Sequence, residues 1–376
     1  MSIKYEDIEN KVKGWLTLTD LSVLKVILAT VVTNYYPGDP LWLFIIAPPS
    51  TLKTELLRGL RKSPRIYTIS SLTPQTLVSG FKDKRDMSLL PKLNNQILIL
   101  KDFTTVLTIN RDSRQEILAQ LREIYDGQYK KAFGTGKVVD WNGKVGVIAG
   151  VTPIIDTHYA MYQVLGERFI QYRVTAEDPI ASASRAIDNN GEEDGMREDI
   201  ATLIATYLGQ FEDSKAWENI TTPEETKHKI LNLSAFCVVA RSSVERDSRS
   251  REIAFVAEPE APPRFAKQLA ALGHGLAIIN GADVVGPDEY RLIHRVGMDS
   301  LPKARRRLID GLIEVNDWID TSSMAERLQY PIGSTRRILE DLASLGVLAK
   351  KRAAQDYWML SEISRGYLSI AVPEKS

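Results

Sequence analysis

The sequence has little cysteine, little histidine and no excess of charge of either sign. One cysteine, Cys237, and four histidines occur among 376 residues, which excludes an intramolecular disulfide framework and a cysteine-rich zinc site. Cys237 lies in an apolar run and is predicted to be a buried core thiol. Lysine and arginine number 48, as do aspartate and glutamate, so contact with a polyanion must come from local patches rather than from an overall field.

The sequence also lacks an apolar signal core and an uninterrupted membrane span. The N-terminal segment is charged and has no small-residue cleavage site, so we expect no export and a cytoplasmic protein. The apolar stretch from Leu16 to Tyr36 is interrupted by Asp20, Lys25 and Asn34, and PGDP follows it. These interruptions predict a buried helix of a soluble domain and no membrane association.

Strands and helices alternate through the first half of the chain, which is the pattern of an α/β layer architecture. Short continuous apolar runs indicate central parallel strands covered on both faces, over 41–46, 97–100, 144–149 and 169–174. The second half is predicted to be helical over 196–211, 223–246, 263–279 and 287–300. The chain is therefore predicted to contain a core over 1–175, a helical lid over 176–302 and a small domain over 303–376.

The segment APPSTLKTELL follows the first strand and opens a helix, which is where a phosphate-binding loop lies. In such loops backbone N–H groups cradle phosphates, a lysine reaches the outer phosphates and a hydroxyl binds magnesium; Lys53 and Thr54 occupy the last two positions. Both glycines of the usual motif are replaced, by Ala47 and Leu52, and a Cβ there crowds the loop. The alternative is an ordinary strand-to-helix turn with a solvated lysine. The predicted nucleotide-binding residues are Ala47, Pro48, Pro49, Ser50, Thr51, Leu52, Lys53 and Thr54.

Polar residues also lie at the ends of the next three predicted strands: two follow a strand, and one precedes a strand. Asp102 ends ILILKD and is predicted to associate with magnesium, although it is a single acid, and capping of the next turn is its alternative role. Thr152, after KVGVIAGV, is predicted to orient the γ-phosphate or the attacking water. Arg168 in LGERF is predicted to be a finger that reaches a neighbour's nucleotide, with a surface ion pair as the alternative.

The order of these segments resembles the AAA+ superfamily and, more narrowly, the minichromosome-maintenance-like ATPases of phages and mobile elements. GDPLWLFIIAPPSTLKTELL is similar to that group's Walker A region, ILILKDFTT to its Walker B strand, AGVTP to sensor 1 and LGERF to its arginine-finger segment. The segment 258–302 resembles the lid that carries sensor 2, which implies that role for Arg264, whose alternative is an exposed arginine of a lid helix. The resemblance implies a three-layer AAA+ core, ATP and Mg²⁺ as cofactors, and a ring-shaped homo-oligomer, a hexamer.

Two departures from that family pattern bear on activity. The missing glycines and the missing second acid concern the rate of hydrolysis more than the fold. The loop begins at residue 47, so we expect a separate N-terminal DNA-binding domain, if one is needed, to come from a partner.

Residues 321–362 follow the order helix, turn, helix and hairpin, which is typical of a winged-helix domain. Met324 and Leu342 belong to an apolar spacing that packs two helices together. Ser322 or Ser323 is the predicted cap of the first helix, and Gly346 is the predicted stop of the second.

Basic and hydroxyl residues in two segments are predicted to contact DNA. In winged-helix domains the first residues of the second helix enter the major groove, and the hairpin that follows this helix lies near the phosphates. A second hairpin is predicted within residues 122–144, where GTG and NG suit turns. The resemblance to ring helicases implies that its lysines line the central pore, and a solvated charged loop is the alternative. Many winged helices bind protein instead, and Glu340 and Asp341 dilute the positive face. The predicted DNA-binding residues are Lys130, Lys131, Lys137, Ser334, Thr335, Arg336, Arg337, Lys350, Lys351 and Arg352.

Together these patterns predict an ATP hydrolase that moves hairpins along DNA. We expect a helicase, translocase or helicase loader in the replication of a phage or mobile element, with a replication initiator or primase as a partner. The alternative is a nucleotide-gated DNA-binding protein whose altered motifs hydrolyse ATP weakly or not at all. A protein-remodelling ATPase is a third possibility.

Overall fold

The computed structural model describes residues 3–18, 20–49, 53–80, 88–159, 167–175 and 178–373. These residues divide into two compact units. The first contains the described residues within Met1–His158, Val164–Thr221 and Ala271–Val285, and the second those within Tyr159–Gln163, Thr222–Ala270 and Gly286–Ser376. The division crosses the segment predicted as a lid, because 178–221 and 271–285 belong to the first unit.

The first unit contains a parallel five-stranded sheet and a separate hairpin. The strand order in the sheet is β2-β3-β6-β1-β7, and β4 pairs with β5 in the antiparallel hairpin. The strands are β1 Trp42–Ile46, β2 Ile66–Ile69, β3 Gln96–Leu100, β4 Gln128–Ala132, β5 Val138–Asn142, β6 Val145–Val151 and β7 Phe169–Arg173.

The predicted parallel, buried strands are confirmed. Every residue of β1 and β6 is buried, and β1 runs in register with β6 and β7, so that Trp42 lies beside Val147 and Phe169. The rings of Phe44 and Phe169 stack with centroids 3.8 Å apart, which fills one face of the sheet between β1 and the edge strand β7. Because all five strands are parallel, their carboxyl ends meet at one edge, which is the ligand edge of such sheets.

Helices cover this sheet, and one of them is the apolar stretch near the N-terminus. That helix, 14 residues long, is buried almost throughout, and the amide of Asn34 binds the carbonyl oxygens of Thr30 and Leu41 at 2.9 and 2.8 Å. None of the described helices combines the length and hydropathy that crossing a bilayer requires. The helices are α1 Tyr5–Trp15, α2 Ser22–Tyr35, α3 Lys53–Arg58, α4 Pro74–Leu77, α5 Thr104–Thr108, α6 Arg111–Tyr125, α7 Pro179–Asp188, α8 Glu193–Gly209 and α9 Ala216–Asn219.

The second unit is mainly helical and carries two small antiparallel sheets, β8-β9 and β10-β12-β11. Cys237 is fully buried there, as predicted. The helix α11 begins in this unit and ends in the first. In chain order the elements are α10 Glu224–Ala240, β8 Val244–Arg246, β9 Ile253–Val256, α11 Pro263–Asn280, α12 Pro287–Asp299, α13 Lys303–Val315, β10 Ile319–Asp320, α14 Thr321–Leu328, α15 Ile332–Ser344, β11 Leu348–Arg352, β12 Asp356–Leu360 and α16 Glu362–Ala371.

The C-terminal elements follow the predicted order, with one correction. The side chain of Asp320 caps α14 by accepting from the N–H groups of Ser322 and Ser323, so neither serine is the cap. A carboxylate one turn earlier takes both amide protons, which a serine inside the first turn cannot reach. Gly346 follows α15 with a φ of +76°, so the predicted stop is confirmed.

The prediction of one helix over 223–246 is wrong at its end. The helix α10 ends at Ala240, and the chain then forms the β8–β9 hairpin. The residues of β8 are compatible with a helix, so local pattern does not separate the two structures. Contacts of Arg246 with a segment about ninety residues away decide the outcome, as described below.

Candidate functional site

The first part of the site is the connection from β1 to α3. Ala47 is buried at the end of β1, and its N–H donates to the carbonyl oxygen of Val151 at 3.1 Å. Pro48 and Pro49 are exposed, and Lys53 is the first residue of α3. Three predicted loop residues lie outside the described part of the chain: Ser50, Thr51 and Leu52.

Lys53 is the buried cation of this edge, with 7% of its surface exposed. Its alkyl stem crosses Gly150 of β6, where a Cβ would lie 2.9 Å from Cδ of Lys53 and 2.7 Å from the carbonyl oxygen of Lys101. Burial lowers the pKa of the Lys53 amine, and the nearby charge of Asp102 opposes that change. The structure therefore has a glycine where the lysine crosses the sheet, and the charge of one acid, Asp102, acts on a desolvated amine.

The tips of β3 and β6 are tied together beside Lys53. The Phe103 N–H donates to the carbonyl oxygen of Gly150 at 2.7 Å, and the Asp102 carboxylate accepts from the Thr104 N–H at 2.9 Å. The Thr152 N–H donates to the Thr104 hydroxyl at 3.1 Å, and the two hydroxyl oxygens lie 3.2 Å apart. Two predicted residues, Asp102 and Thr152, are thus brought together through a residue that the sequence analysis did not single out. The only signal for Thr104 was the pair of threonines after the strand.

An ion pair lies at the same edge, at the end of β7. Arg173 lies next to Ile46 in register and binds both carboxylate oxygens of Asp156, at 2.9 and 2.8 Å. The side chains are 11% and 22% exposed, so solvent screens this pair only partly. Asp156 belongs to a short 3₁₀ helix, Pro153–His158, that follows Thr152. Nothing in the local sequence distinguishes this arginine from an ordinary strand residue.

Arg168 lies at the opposite edge of the sheet, because it precedes β7 where Phe169 pairs with the start of β1. It is buried, and its guanidinium binds both carboxylate oxygens of Asp126, at 3.0 and 2.7 Å. Its guanidinium carbon also lies 5.4 Å from the centroid of the Tyr125 ring. The structure therefore engages Arg168 within its own chain, and its role as a finger stays a prediction.

A cavity of about 250 Å³ lies beside α3. Its lining includes Trp15 and Leu16 at the end of α1, Glu55 of α3, and Asn189 and Arg197. The Asn189 amide donates to the Trp15 carbonyl oxygen at 2.9 Å, and the Arg197 guanidinium binds both oxygens of Glu55 at 2.9 and 3.1 Å. An aromatic residue, an amide and an ion pair thus line a recess that could hold a small organic group.

The lysines of the β4–β5 hairpin are engaged with the first unit. Lys130 pairs with Asp140 across the hairpin at 2.8 Å, and Lys131 pairs with Glu116 of α6 at 2.7 Å. The Lys137 amine donates to the carbonyl oxygen of Ser79 at 2.8 Å. The hairpin is where the sequence predicts it; Lys130 and Lys131 are paired with acids, and the Lys137 amine is bound to a carbonyl oxygen.

Arg264 lies in the second unit, at the start of α11. It pairs with Glu260 at 3.7 Å, and its side chain is 39% exposed. Glu260 also binds the fully buried Arg241, whose guanidinium carbon lies 4.1 Å from the centroid of the Phe265 ring. The sensor 2 role of Arg264 stays a prediction.

The predicted DNA-binding residues of the second unit differ in exposure. Arg336 and Arg337 are exposed on α15, and Lys351 and Arg352 are exposed on β11. Thr335 is fully buried, and its hydroxyl donates to the Pro331 carbonyl oxygen at 3.2 Å, so it is left out of the surface proposed below.

Two further predicted residues lie at the margin of that surface. Ser334 is half-buried in the first turn of α15. Lys350 pairs with Asp356 at 2.9 Å, and its amine lies 4.9 Å from the centroid of the Trp358 ring. The charge of Lys350 is therefore partly matched within the β11–β12 hairpin.

The described residues contain no group of three or more His, Cys, Asp or Glu side chains that could hold a metal ion. Asp102 and the Thr54 hydroxyl are the oxygens nearest the predicted phosphate position in sequence, and Mg²⁺ at a nucleotide takes only one or two protein oxygens besides phosphate and water. No family model matches this chain, and neither does any curated protein, so the residues described above carry the functional assignment by themselves.

Proposed function

We propose that the first unit binds and hydrolyses ATP with Mg²⁺ and that the second unit binds DNA. The protein is then an ATP-driven helicase, translocase or helicase loader. The observation that carries the proposal is the buried Lys53 at the start of α3, with its stem across Gly150 and its charge coupled to Asp102.

The residues at this edge fit a magnesium nucleotide. A buried amine that burial drives towards its neutral form gains most from an anionic ligand, because phosphate restores the favourable environment of its charge. Asp102 and Thr54 supply oxygens for Mg²⁺, and Lys53 contacts phosphate oxygens. Bound ATP supplies the phosphoryl group, and Mg²⁺ supplies neutralising charge. The cavity beside Glu55 has the size and the aromatic wall for a nucleoside.

The hydroxyl pair at the tips of β3 and β6 fits the positioning of a water molecule. Thr104 and Thr152 are 3.2 Å apart and joined by a backbone N–H, so their orientations are fixed relative to each other. A hydroxyl both donates and accepts, which lets it orient a nucleophilic water without removing its proton. Removal of that proton is assigned to Asp102 or to the phosphate itself.

The sheet order supports the AAA+ resemblance, since β6 inserts between β1 and β3 and brings three strand ends to one edge. By that resemblance the protein assembles as a hexameric ring, in which Arg168 serves a neighbouring nucleotide and Arg264 serves sensor 2. Arg168 must then release Asp126 when the ring assembles, because the Asp126 carboxylate and a nucleotide phosphate compete for the same guanidinium N–H groups.

The C-terminal elements support a winged-helix interpretation. Two helices, α14 and α15, pack together and on the three-stranded sheet. The first half of α15 presents Arg336 and Arg337, and β11 presents Lys351 and Arg352, which are the positions that contact DNA in such domains.

The test is ATP turnover by the full chain with and without single- and double-stranded DNA. Lys53→Ala is the test variant, and Lys11→Ala is the matched control, since Lys11 is an exposed lysine of the same unit paired with Asp199. We expect DNA to stimulate turnover by the wild type and by Lys11→Ala, and Lys53→Ala to abolish it. Turnover that survives in folded Lys53→Ala would overturn the assignment of this site.

A nucleotide-gated DNA-binding protein is the second candidate, and one observation favours it. Asp102 is a single acid, and its carboxylate already accepts the Thr104 N–H. One carboxylate that both caps a turn and holds the metal leaves little capacity for activating water. This candidate predicts tight binding of an ATP analogue, no turnover, and a change in DNA affinity when the analogue binds.

A further inference from the structure

The β8–β9 hairpin of the second unit has a well-defined tip. Its strands pair from Val244 with Val256 down to an irregularity after Glu245. At the tip the Asp247 carboxylate accepts from the N–H groups of Arg249 and Ser250 at 2.8 and 2.7 Å. The turn therefore presents the side chains of the residues between the strands in a fixed arrangement.

One side chain, Arg246, fastens this tip to α15. Its Nε donates to Asp341 at 2.9 Å, its Nη2 donates to Glu340 and to the Arg337 carbonyl oxygen at 3.0 Å each, and its Nη1 donates to the Arg251 carbonyl oxygen at 2.7 Å. The side chain is only 15% exposed. Because one guanidinium binds both carbonyl oxygens, the backbones of Arg251 and Arg337 lie side by side.

The same contacts change the charge of the surface. The two acids of α15, which in the sequence dilute its positive face, both bind Arg246, which offsets one of their two charges and directs both carboxylates at the hairpin. Arg249 and Arg251 at the tip, and Arg336 and Arg337 on α15, are exposed. Exposed guanidinium groups on two elements that are fastened to each other give a positive surface that attracts a polyanion.

The acids of the hairpin itself oppose this charge less than their number suggests. The Asp247 carboxylate is turned into the tip, where the two N–H groups hold it. Glu245 is exposed and lies before the irregularity of the strand, on the far side of Arg246 from the tip. Glu252 neighbours Arg251 and is exposed, which makes it a position where charge can be removed as a test.

We propose that Arg249 and Arg251 bind backbone phosphates of double-stranded DNA beside the groove that receives α15. The inference rests on the proposed DNA binding of the second unit and adds a contact surface to it. Duplex DNA fits because a helix carrying Arg336 and Arg337 at its exposed start suits a major groove, and flanking basic tips then meet phosphate.

The experiment measures binding of a 25-base-pair fluorescent duplex to the full chain over a range of salt concentrations. The test variant is Arg249→Ala with Arg251→Ala. The matched control is Lys227→Ala with Arg291→Ala, which removes the same charge from exposed positions of the same unit. We expect the test variant to lose about tenfold in affinity and about two units of the slope of log K against log salt, because each phosphate contact contributes about 0.9. Glu252→Gln should strengthen binding.

The outcomes separate this inference from the proposed function. Equal losses in the test and control variants, or an unchanged salt slope, overturn the hairpin contact while leaving DNA binding intact. A wild-type chain that does not bind duplex DNA, or that binds only RNA, overturns both. A wild type that binds through Arg336 and Arg337 alone overturns only the contact of the tip. Circular dichroism confirms that each variant is folded.

Discussion

The two candidate sites of this protein are built in opposite ways. In the first unit, a buried Lys53 and the half-buried Thr104 and Thr152 lie beside the carboxyl ends of buried strands, and the site is a small set of groups largely shielded from water. In the second unit, exposed arginines are arranged by one side chain, Arg246, which is itself only 15% exposed. The first arrangement suits a small anion that must be desolvated, and the second suits a long polyanion that stays hydrated.

The difference teaches where each site is fragile. A buried site fails when its packing changes, because there is no room for displaced atoms. A surface site tolerates loss of one exposed charge but fails when the element that arranges the charges is released. The two sites should therefore respond differently to the same kinds of change.

The largest expected effect is that of Arg246→Ala on the stability of the second unit. The substitution leaves Asp341 facing the hairpin without its cation, and we expect a loss of about 2 to 4 kcal/mol at pH 7. Burial raises the pKa of Asp341, and Arg246 opposes this change. The loss of stability caused by Arg246→Ala is therefore largest when the Asp341 carboxylate is charged, and it becomes smaller as the carboxylate is protonated at acid pH. Urea unfolding at pH 7.5 and pH 4.5 measures the loss of stability and its dependence on pH.

The control for this effect is Arg249→Ala, an exposed arginine of the same hairpin, which should change stability by less than about 0.5 kcal/mol. Adding Asp341→Asn to Arg246→Ala should restore part of the loss. Equal destabilisation by Arg246→Ala and Arg249→Ala would show that Arg246 does not fasten the hairpin.

A smaller effect is expected from Gly150→Ala in the first unit. The new Cβ meets a backbone oxygen and the stem of Lys53, so the amine must move, and nucleotide affinity should fall about tenfold to hundredfold. A fluorescent ATP analogue reports the affinity, and a thermal scan reports folding. Gly134→Ala is the control, because nothing lies within 4 Å of a Cβ at that position. Unchanged affinity in Gly150→Ala would separate Lys53 from the ligand.

The two sites should also differ in their response to alkaline pH. Burial lowers the pKa of Lys53, so its amine loses its proton at a lower pH than an ordinary lysine, and nucleotide affinity should fall by up to about tenfold per pH unit once that pKa is passed. Arginine keeps its proton at these pH values, so DNA affinity through the tip of β8–β9 should not change with pH. Titrations between pH 7.5 and 9.5 test this. Lys53→Arg, if it still binds nucleotide, should lose the dependence.

The smallest effect is expected from Lys130→Ala in the β4–β5 hairpin. Because Asp140 already matches this exposed charge, DNA affinity should change by less than about twofold. Comparing this loss of DNA affinity with that of the Arg249→Ala and Arg251→Ala variant shows which of the two hairpins contributes more to DNA binding. A tenfold loss for Lys130→Ala would instead favour the pore-lining role that the sequence predicts for β4–β5.

Much of the first site followed from sequence because its residues lie where local patterns end. Continuous apolar runs set β1, β3 and β6; Asp102 and Thr152 lie within two residues of the ends of β3 and β6, and Lys53 opens the helix that follows β1. Thr104 was missed because a threonine after a strand is commonplace, and only the parallel pairing of β3 with β6 brings it to Thr152. Pattern along the chain predicts strand ends, whereas pairing between strands decides which ends touch.

The second site was predicted less well, for the converse reason. The order of α14, α15 and the following strands came from spacing, but the residues of β8 were predicted as the end of a helix and β9 was not predicted. The three residues of β8 have no strong preference, and the contacts that hold them lie far along the chain. Long-range ion pairs leave no periodic trace in the sequence.

The bonds of Arg246 also constrain the order of events in folding. They join residues 91 and 95 positions apart, so they close a loop of nearly a quarter of the chain. Closing such a loop has an entropic cost that only a preformed partner offsets. During synthesis, residues 244–256 leave the ribosome well before α15 exists, and the hairpin should stay unstructured until that helix appears. Its arginines would then acquire their arrangement as one of the last steps in the maturation of the chain.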